Sequence, residues 1–251
     1  MNYKNEQVTE KAVGSIKWSA LIEAVSRTAI PITILILAHF LSPEDFGIVA
    51  IVMIIISFSQ MFWDAGLSKT LIQVKEALGE AANVVFWTNF FLGVVSYCLL
   101  FIFSPWIAAF YNTPLLVPIT QALSLNLVIN AFGLIQTSLL TKNIDFKAQL
   151  KVSLITTLLS GFIGVVMAYN GFGVWSLVVH SLSQNFFRTC LLWFIMSWRP
   201  SWTFSFRSLR TFFSFGSKLL LSGLLNTIFE NIYFVVIGKL FSPASLGFYA
   251  R

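Results

Sequence analysis

A handful of ionisable side chains stand inside or at the ends of long apolar runs: Glu23, Arg27, Asp64, Arg188 and Glu230. Charges there are expensive unless they face a cavity or a partner, so these positions are the first candidates for chemistry. Glu23 and Arg27 are four residues apart, which puts them on one helix face where they can pair. Pro31, one turn further on, removes a backbone hydrogen bond and predicts a bend, making this helix a candidate gating element. Glu230 sits mid-run without an in-run partner at helical spacing, which favours a working role such as proton exchange in a cavity. Two readings stay open elsewhere. Glu23–Arg27 is either a structural pair or a functional one. Arg188 either faces a cavity or extends past Trp193 to the membrane surface. Asp64, just before Ala65-Gly66, either closes a helix end, the favoured reading, or joins Glu23, Pro31 and Glu230 as an ion-coupling or gating residue. No group of Cys, His and acidic residues has metal-ligand spacing, and no catalytic constellation is visible, so the expectation is no metal, no cofactor and no enzyme activity.

The elements that carry these residues follow from composition. Hydrophobic residues make up 57% of the 251-residue chain and charged residues 10%, with a mean hydropathy of +0.82. Soluble domains carry roughly 25% charged residues. Runs of about 20 apolar residues match the length of helix that crosses a bilayer. Such runs fall near 17–41, 46–67, 81–103, 115–140, 150–169, 174–197 and 215–241, predicting an all-α integral membrane protein with about seven transmembrane helices. Stretches such as IVAIVMIII lack the alternation of a β-barrel strand. The polar first 15 residues and the long first run argue against a cleaved signal peptide. Cys98 and Cys190 both fall in apolar runs and read as buried thiols in lipid-facing or interhelical packing.

Basic residues follow alternate connections. Lys4, Lys11 and Lys17 precede the first run; Lys69 and Lys75 follow the second; Lys142, Lys147 and Lys151 follow the fourth; Arg199, Arg207, Arg210 and Lys218 follow the sixth. The turns at 42–45, 104–114 and 170–173 contain no Lys or Arg. The positive-inside rule then places the N-terminus in the cytoplasm. The net charge of +6 is thereby a topology signal near anionic lipid rather than a nucleic-acid surface. Trp18, Trp63, Trp198 and Trp202 fall near the inner interface, Trp106 and Trp175 near the outer one.

One sentence of the sequence is written twice. GSIKWSALIEAVSRTAIPITILILAHFLSPEDFGIVA, from Gly14 to Ala50, is echoed by GSKLLLSGLLNTIFENIYFVVIGKLFSPASLGFYA, from Gly216 to Ala250. Aligning His39–Ala50 with Lys239–Ala250 superposes Ser, Pro, Gly and Ala. Both copies begin on the same side of the membrane, so the repeat is parallel, as in transporters whose site lies between two halves. The expected organisation is a six-helix N-terminal lobe over 1–197, a cytoplasmic amphipathic linker over 198–214, and the first helix of an incomplete second lobe over 215–251.

LSPEDFGIVA after the first run and WDAGLSKTLIQ closing the second resemble oligosaccharide flippases (Wzx-like) of the MOP exporter superfamily. FWTNFFLGVV, FSPWIAAFYNTPLL and QTSLLTKNIDFKAQ are similar to the same group, the colanic-acid and teichuronic-acid type of polysaccharide-biosynthesis exporter. His39 departs from the basic residue usual before the Ser-Pro turn, whereas Lys239 keeps it. The resemblance implies a flippase in the bacterial cytoplasmic membrane that moves an undecaprenyl-pyrophosphate-linked oligosaccharide for surface polysaccharide synthesis. It implies alternating access between two six-helix lobes, coupling to an H+ or Na+ gradient, and a polysaccharide polymerase and chain-length regulator as partners. Under that reading Arg27 and Arg188 capture the pyrophosphate through bidentate guanidinium contacts, and Glu23 or Glu230 carries the coupling proton. The competing readings are an exporter of another substrate in the superfamily, such as a drug pump or peptidoglycan-precursor flippase, and a non-transporting fragment or interaction subunit. A membrane glycosyltransferase or polymerase would need acidic metal sites or a large soluble loop, and the longest connection is about 18 residues without an acidic pair.

Overall fold

The computed structural model describes residues 31–64, 78–143, 145–202, 244 and 246–247, with side chains throughout except at 61–64 and 78–81. The described helices are α1 over Pro31–Phe40, α2 Pro43–Asp64, α3 Leu78–Tyr111, α4 Leu116–Lys142, α5 Phe146–Tyr169 and α6 Val174–Ile195. No strand occurs among the described residues. Four helices, α2 to α5, are long and apolar enough to cross a membrane, and α1 is a shorter apolar one. The expected all-α membrane architecture is borne out. The seventh run, most of the first and the linker beyond Trp202 lie outside the described residues.

Two of the helices, α2 and α5, begin at side-chain caps. Ser42 and Asp45 form a reciprocal cap: the Asp45 carboxylate accepts from the Ser42 amide at 3.0 Å and hydroxyl at 2.7 Å, while the Asp45 amide donates to Ser42 Oγ at 3.2 Å. Pro43 occupies the first helical position, where its missing N–H loses nothing. Asp145 caps α5 by accepting from the Ala148 amide at 3.1 Å. Between α5 and α6 the chain reverses through Gly171 and Gly173, both at positive φ (78° and 55°), a conformation glycine adopts without a Cβ penalty.

The expected turn over 104–114 is corrected. Helix α3 continues through Pro105 to Tyr111. Proline cannot donate to the carbonyl four residues back, but Ser104 Oγ donates to that same Phe101 carbonyl at 2.8 Å, and Gln121 from α4 donates to Ser104 Oγ at 3.2 Å. The orphan acceptor is satisfied, so the helix survives its proline.

Helix α4 is the centre of the bundle, packed against α2, α3, α5 and α6. Leu116, Ile119, Leu123, Leu127, Ala131 and Ile135 are fully buried along it. Small residues let its neighbours approach: Gly93 lies against Ala131 and the Leu127 backbone, and Gly133 against Thr189. The outer faces are apolar. On α3 Phe91, Val95, Leu99, Ile102, Trp106 and Phe110 recur at helical spacing and are exposed, and α5 presents Ile155, Leu158, Phe162 and Tyr169. These stripes face lipid in a membrane helix bundle. Cys98 belongs to such a surface: it is free and exposed rather than buried, and Cys190 is free and half-buried.

The two ends of the bundle differ in charge. Phe40 rings against Tyr169 and Asp45 lies beside Gly173, so the turns without basic residues gather at one end. At the other, Lys142 ends α4, Lys147 and Lys151 lie in the first two turns of α5, and Arg199 follows α6. There the chain after α6 folds back onto α3. The Ser201 amide donates to Asn83 Oδ1 at 2.9 Å, Asn83 Nδ2 donates to Ser201 Oγ, Trp87 Nε1 donates to the Ser201 carbonyl at 2.9 Å, and Trp202 stacks on Trp87 at 4.4 Å.

Candidate functional site: a polar cleft between two helices of the bundle

At 22 residues α6 spans roughly 33 Å, enough to cross a bilayer, yet it is not among the apolar spanning helices. The reason is a set of polar residues, from Ser181 through Gln184, Asn185 and Arg188 to Thr189, within an otherwise apolar helix. They divide by direction. Ser181, Asn185, Thr189 and Trp193 recur at intervals of four and are used up against α4. Asn126 Nδ2 donates to Ser181 Oγ at 3.1 Å, and Asn185 Nδ2 donates to Asn126 Oδ1 at 3.0 Å. Thr189 Oγ1 donates to the Ile129 carbonyl at 3.1 Å. Trp193 Nε1 reaches the Phe132 carbonyl at 2.9 Å, and with the Gln136 amide turned over, Gln136 binds both groups.

Gln184 and Arg188, with one side of Asn185, turn instead toward α5. Together with Gln149, Val152, Ser153 and Thr156 they line a cleft of about 350 Å³. The α5 contribution also has helical spacing, one face of the helix. Val152 and Thr156 are buried. Gln149 is steadied by donating to Thr141 Oγ1 at 3.1 Å, and Gly164 allows close approach of His180 where α5 and α6 pack. The lining is therefore amides and hydroxyls with one guanidinium, and no carboxylate pairs with Arg188 among the described residues. Such a surface offers many neutral hydrogen-bond donors and acceptors and one fixed positive charge, which suits a polyhydroxylated anion.

The sequence-derived candidates fare unequally. Arg188 faces the cleft, the cavity alternative of its two readings. Pro31 is exposed at the start of the described helix α1, and the turn it would bend lies outside the described residues. Asp64 ends α2 as described; its side chain, and all of Glu23, Arg27 and Glu230, lie outside the described residues. Reasoning from charge overlooked Gln149, Ser153, Thr156, Gln184 and Asn185. Their signal was present as uncharged polar residues at intervals of three and four inside apolar runs. Among the described residues no group of three or more His, Cys, Asp or Glu is placed to hold a metal.

An all-helical bundle with lipid-facing apolar stripes and an internal polar cleft defines a multi-pass membrane protein. Residues 36–251 match the family described as Polysaccharide biosynthesis protein, and the chain belongs to it. It is 27% identical over 236 residues to the succinoglycan biosynthesis transport protein ExoT of Rhizobium meliloti, covering 94% of this chain and 48% of that protein. It is 29% identical over 198 residues to the teichuronic acid biosynthesis protein TuaB of Bacillus subtilis, covering 76% and 40%. It is 26% identical over 248 residues to the lipopolysaccharide biosynthesis protein WzxC of Escherichia coli, covering 96% and 49%. The chain thus spans about half the length of the curated relatives it matches. No solved structure matches it. The resemblance drawn from LSPEDFGIVA and its companion segments is borne out at the level of the family.

Proposed function

We propose that this chain forms part of a flippase that moves an undecaprenyl-pyrophosphate-linked oligosaccharide across the bacterial cytoplasmic membrane by alternating access. The observation that carries the reading is the α5–α6 cleft, where Arg188 stands among amides and hydroxyls inside an apolar bundle. A guanidinium binds a phosphate oxyanion pair through two parallel donors, which a lysine ammonium cannot reproduce. The neutral lining suits sugar hydroxyls. Relatives named for polysaccharide transport and biosynthesis support the substrate class. Glu23 and Glu230 are proposed as ion-coupling groups and Arg27 as a second anion contact; Glu→Gln at both acidic positions should flatten the pH dependence of transport.

The test is the accumulation of lipid-linked oligosaccharide in cells lacking the gene, followed by re-expression. Wild type should clear the intermediates. Arg188→Gln should not, and Arg188→Lys should clear them at least tenfold more slowly, about 1.4 kcal/mol of lost transition-state stabilisation. Full clearance by Arg188→Lys would remove Arg188 from substrate binding. No accumulation in the deletion strain would mean that the transported substrate is a different one.

A further inference from the structure

On the lipid-facing side of the α4–α6 seam a second concavity, of about 460 Å³, is lined by Phe132, Thr189, Cys190, Trp193, Phe194 and Arg199. It lies at the basic end of the bundle and differs in character from the polar cleft. Its neutral donors are spent inward: Thr189 on the Ile129 carbonyl and Trp193 on the Phe132 carbonyl. What remains is an aromatic and aliphatic wall, with Phe194 85% exposed, closed at one end by a cation. Arg199 sits over the Trp193 ring at 5.2 Å. Its Nη1 donates to the carbonyls of Met196 and Trp198, and its Nη2 to that of Trp193. A guanidinium has five N–H donors. These three bonds hold the group in place and, among the described residues, leave the Nε–H and one Nη2–H without a partner, two donors available to a phosphate.

We infer that this groove is a binding site for an anionic phospholipid of the leaflet at the basic end, with an acyl chain along Phe132, Cys190 and Phe194 and the phosphate on the free edge of Arg199. Charge complementarity selects the occupant. Among the described residues the wall offers a sugar no neutral donor beyond the weak Cys190 thiol, while a fixed cation at the mouth of an apolar groove matches one phosphate joined to a hydrocarbon chain. The site is independent of the transport reading and of the polar cleft, from which it is separated by the residues of α6 that bond to α4.

The test uses the full chain in nanodiscs of phosphatidylcholine carrying rising fractions of brominated phosphatidylglycerol or brominated phosphatidylcholine. Bromine on the acyl chain quenches nearby tryptophan, and the difference between wild type and Trp193→Phe isolates Trp193. Phosphatidylglycerol should quench Trp193 at about a fivefold lower fraction, the preference that one interfacial cation confers. Arg199→Gln should abolish that preference. Because Arg199 also ties down the chain after α6, Cys190→Phe provides a second variant: it fills the groove with Arg199 intact and should remove the preference as well. Equal quenching by the two lipids would mean ordinary annular lipid and overturn the site. A preference that survives Cys190→Phe would place the recognition outside the groove. Displacement of phosphatidylglycerol by an equal fraction of a polyprenyl phosphate would overturn the phospholipid assignment in favour of a carrier lipid.

Discussion

Two buried asparagines illustrate how context decides the worth of a side chain. Asn126 is 3% exposed and bonded to both Ser181 and Asn185 across the α4–α6 seam. Asn89 on α3 is fully buried, and neither its Nδ2 nor its Oδ1 has a hydrogen-bond partner among the described residues. The same substitution should therefore cost stability at Asn126 and cost none at Asn89. Asn126→Leu removes two interhelical bonds and should destabilise the protein by about 1 kcal/mol in detergent unfolding. Asn89→Leu replaces an unsatisfied amide by an apolar group of similar volume and should be neutral or stabilise by up to about 1–3 kcal/mol. Equal losses at both sites would refute the assignment of Asn89 as unpaired. Arg188, by contrast, should affect clearance of the proposed lipid-linked substrate far more than stability, since nothing described in the fold depends on its charge.

At the scale of the helix, α3 makes a prediction that a static reading of its sequence would miss. Ser104→Ala leaves the Phe101 carbonyl without its donor, and that should cost about 1–2 kcal/mol because no water replaces it in lipid. The double variant Ser104→Ala/Pro105→Ala restores the ordinary backbone donor and should return stability to near the wild-type value. If the double variant is no more stable than Ser104→Ala alone, the serine is not serving the proline. Helix α6 shows the same lesson in another form. Its polar content disqualifies it as a simple apolar span, yet Ser181, Gln184, Asn185, Arg188 and Thr189 are used either against α4 or around the cleft.

At the scale of the whole molecule, the segregation of charge predicts orientation. With Cys98 and Cys190 replaced by Ala, single cysteines at Asn112 and Asn143 should label oppositely with a membrane-impermeant thiol reagent: position 112 in intact cells, position 143 only after permeabilisation. The reverse pattern would invert the proposed topology. The repeat makes a second prediction. Leu246 is fully buried in the cluster around Ile48, Ile51 and Val52, and a Cβ on Gly247 would overlap the Pro43 carbonyl and press on the Gly47 amide nitrogen. Gly47 and Gly247 are the same column of the repeat alignment, so the two copies meet at equivalent points. Gly247→Ala has to displace backbone rather than a flexible side chain, and should lower the unfolding midpoint by the equivalent of about 1–3 kcal/mol. An unchanged midpoint would show that Gly247 does not pack against Pro43 and Gly47.

Much of this was legible in the one-dimensional order of residues. Apolar runs of bilayer length force helices because lipid offers backbone groups no partner, and the alternation of basic and neutral connections marks the two ends before any coordinates exist. The Ser-Pro turns, the repeat and the membership of a polysaccharide-biosynthesis family also lie in local strings such as LSPEDFGIVA. What local strings could not reveal is which helix is central and which polar residues converge. Pro105 reads as a stop until Gln121 of α4 and Ser104 are seen to serve the same strand of hydrogen bonds. Gln149 and Arg188 lie 39 positions apart and become neighbours only because α5 packs beside α6. Pattern along a chain reports what each segment must bury; convergence of side chains depends on helix order and rotation, which packing against the other segments decides.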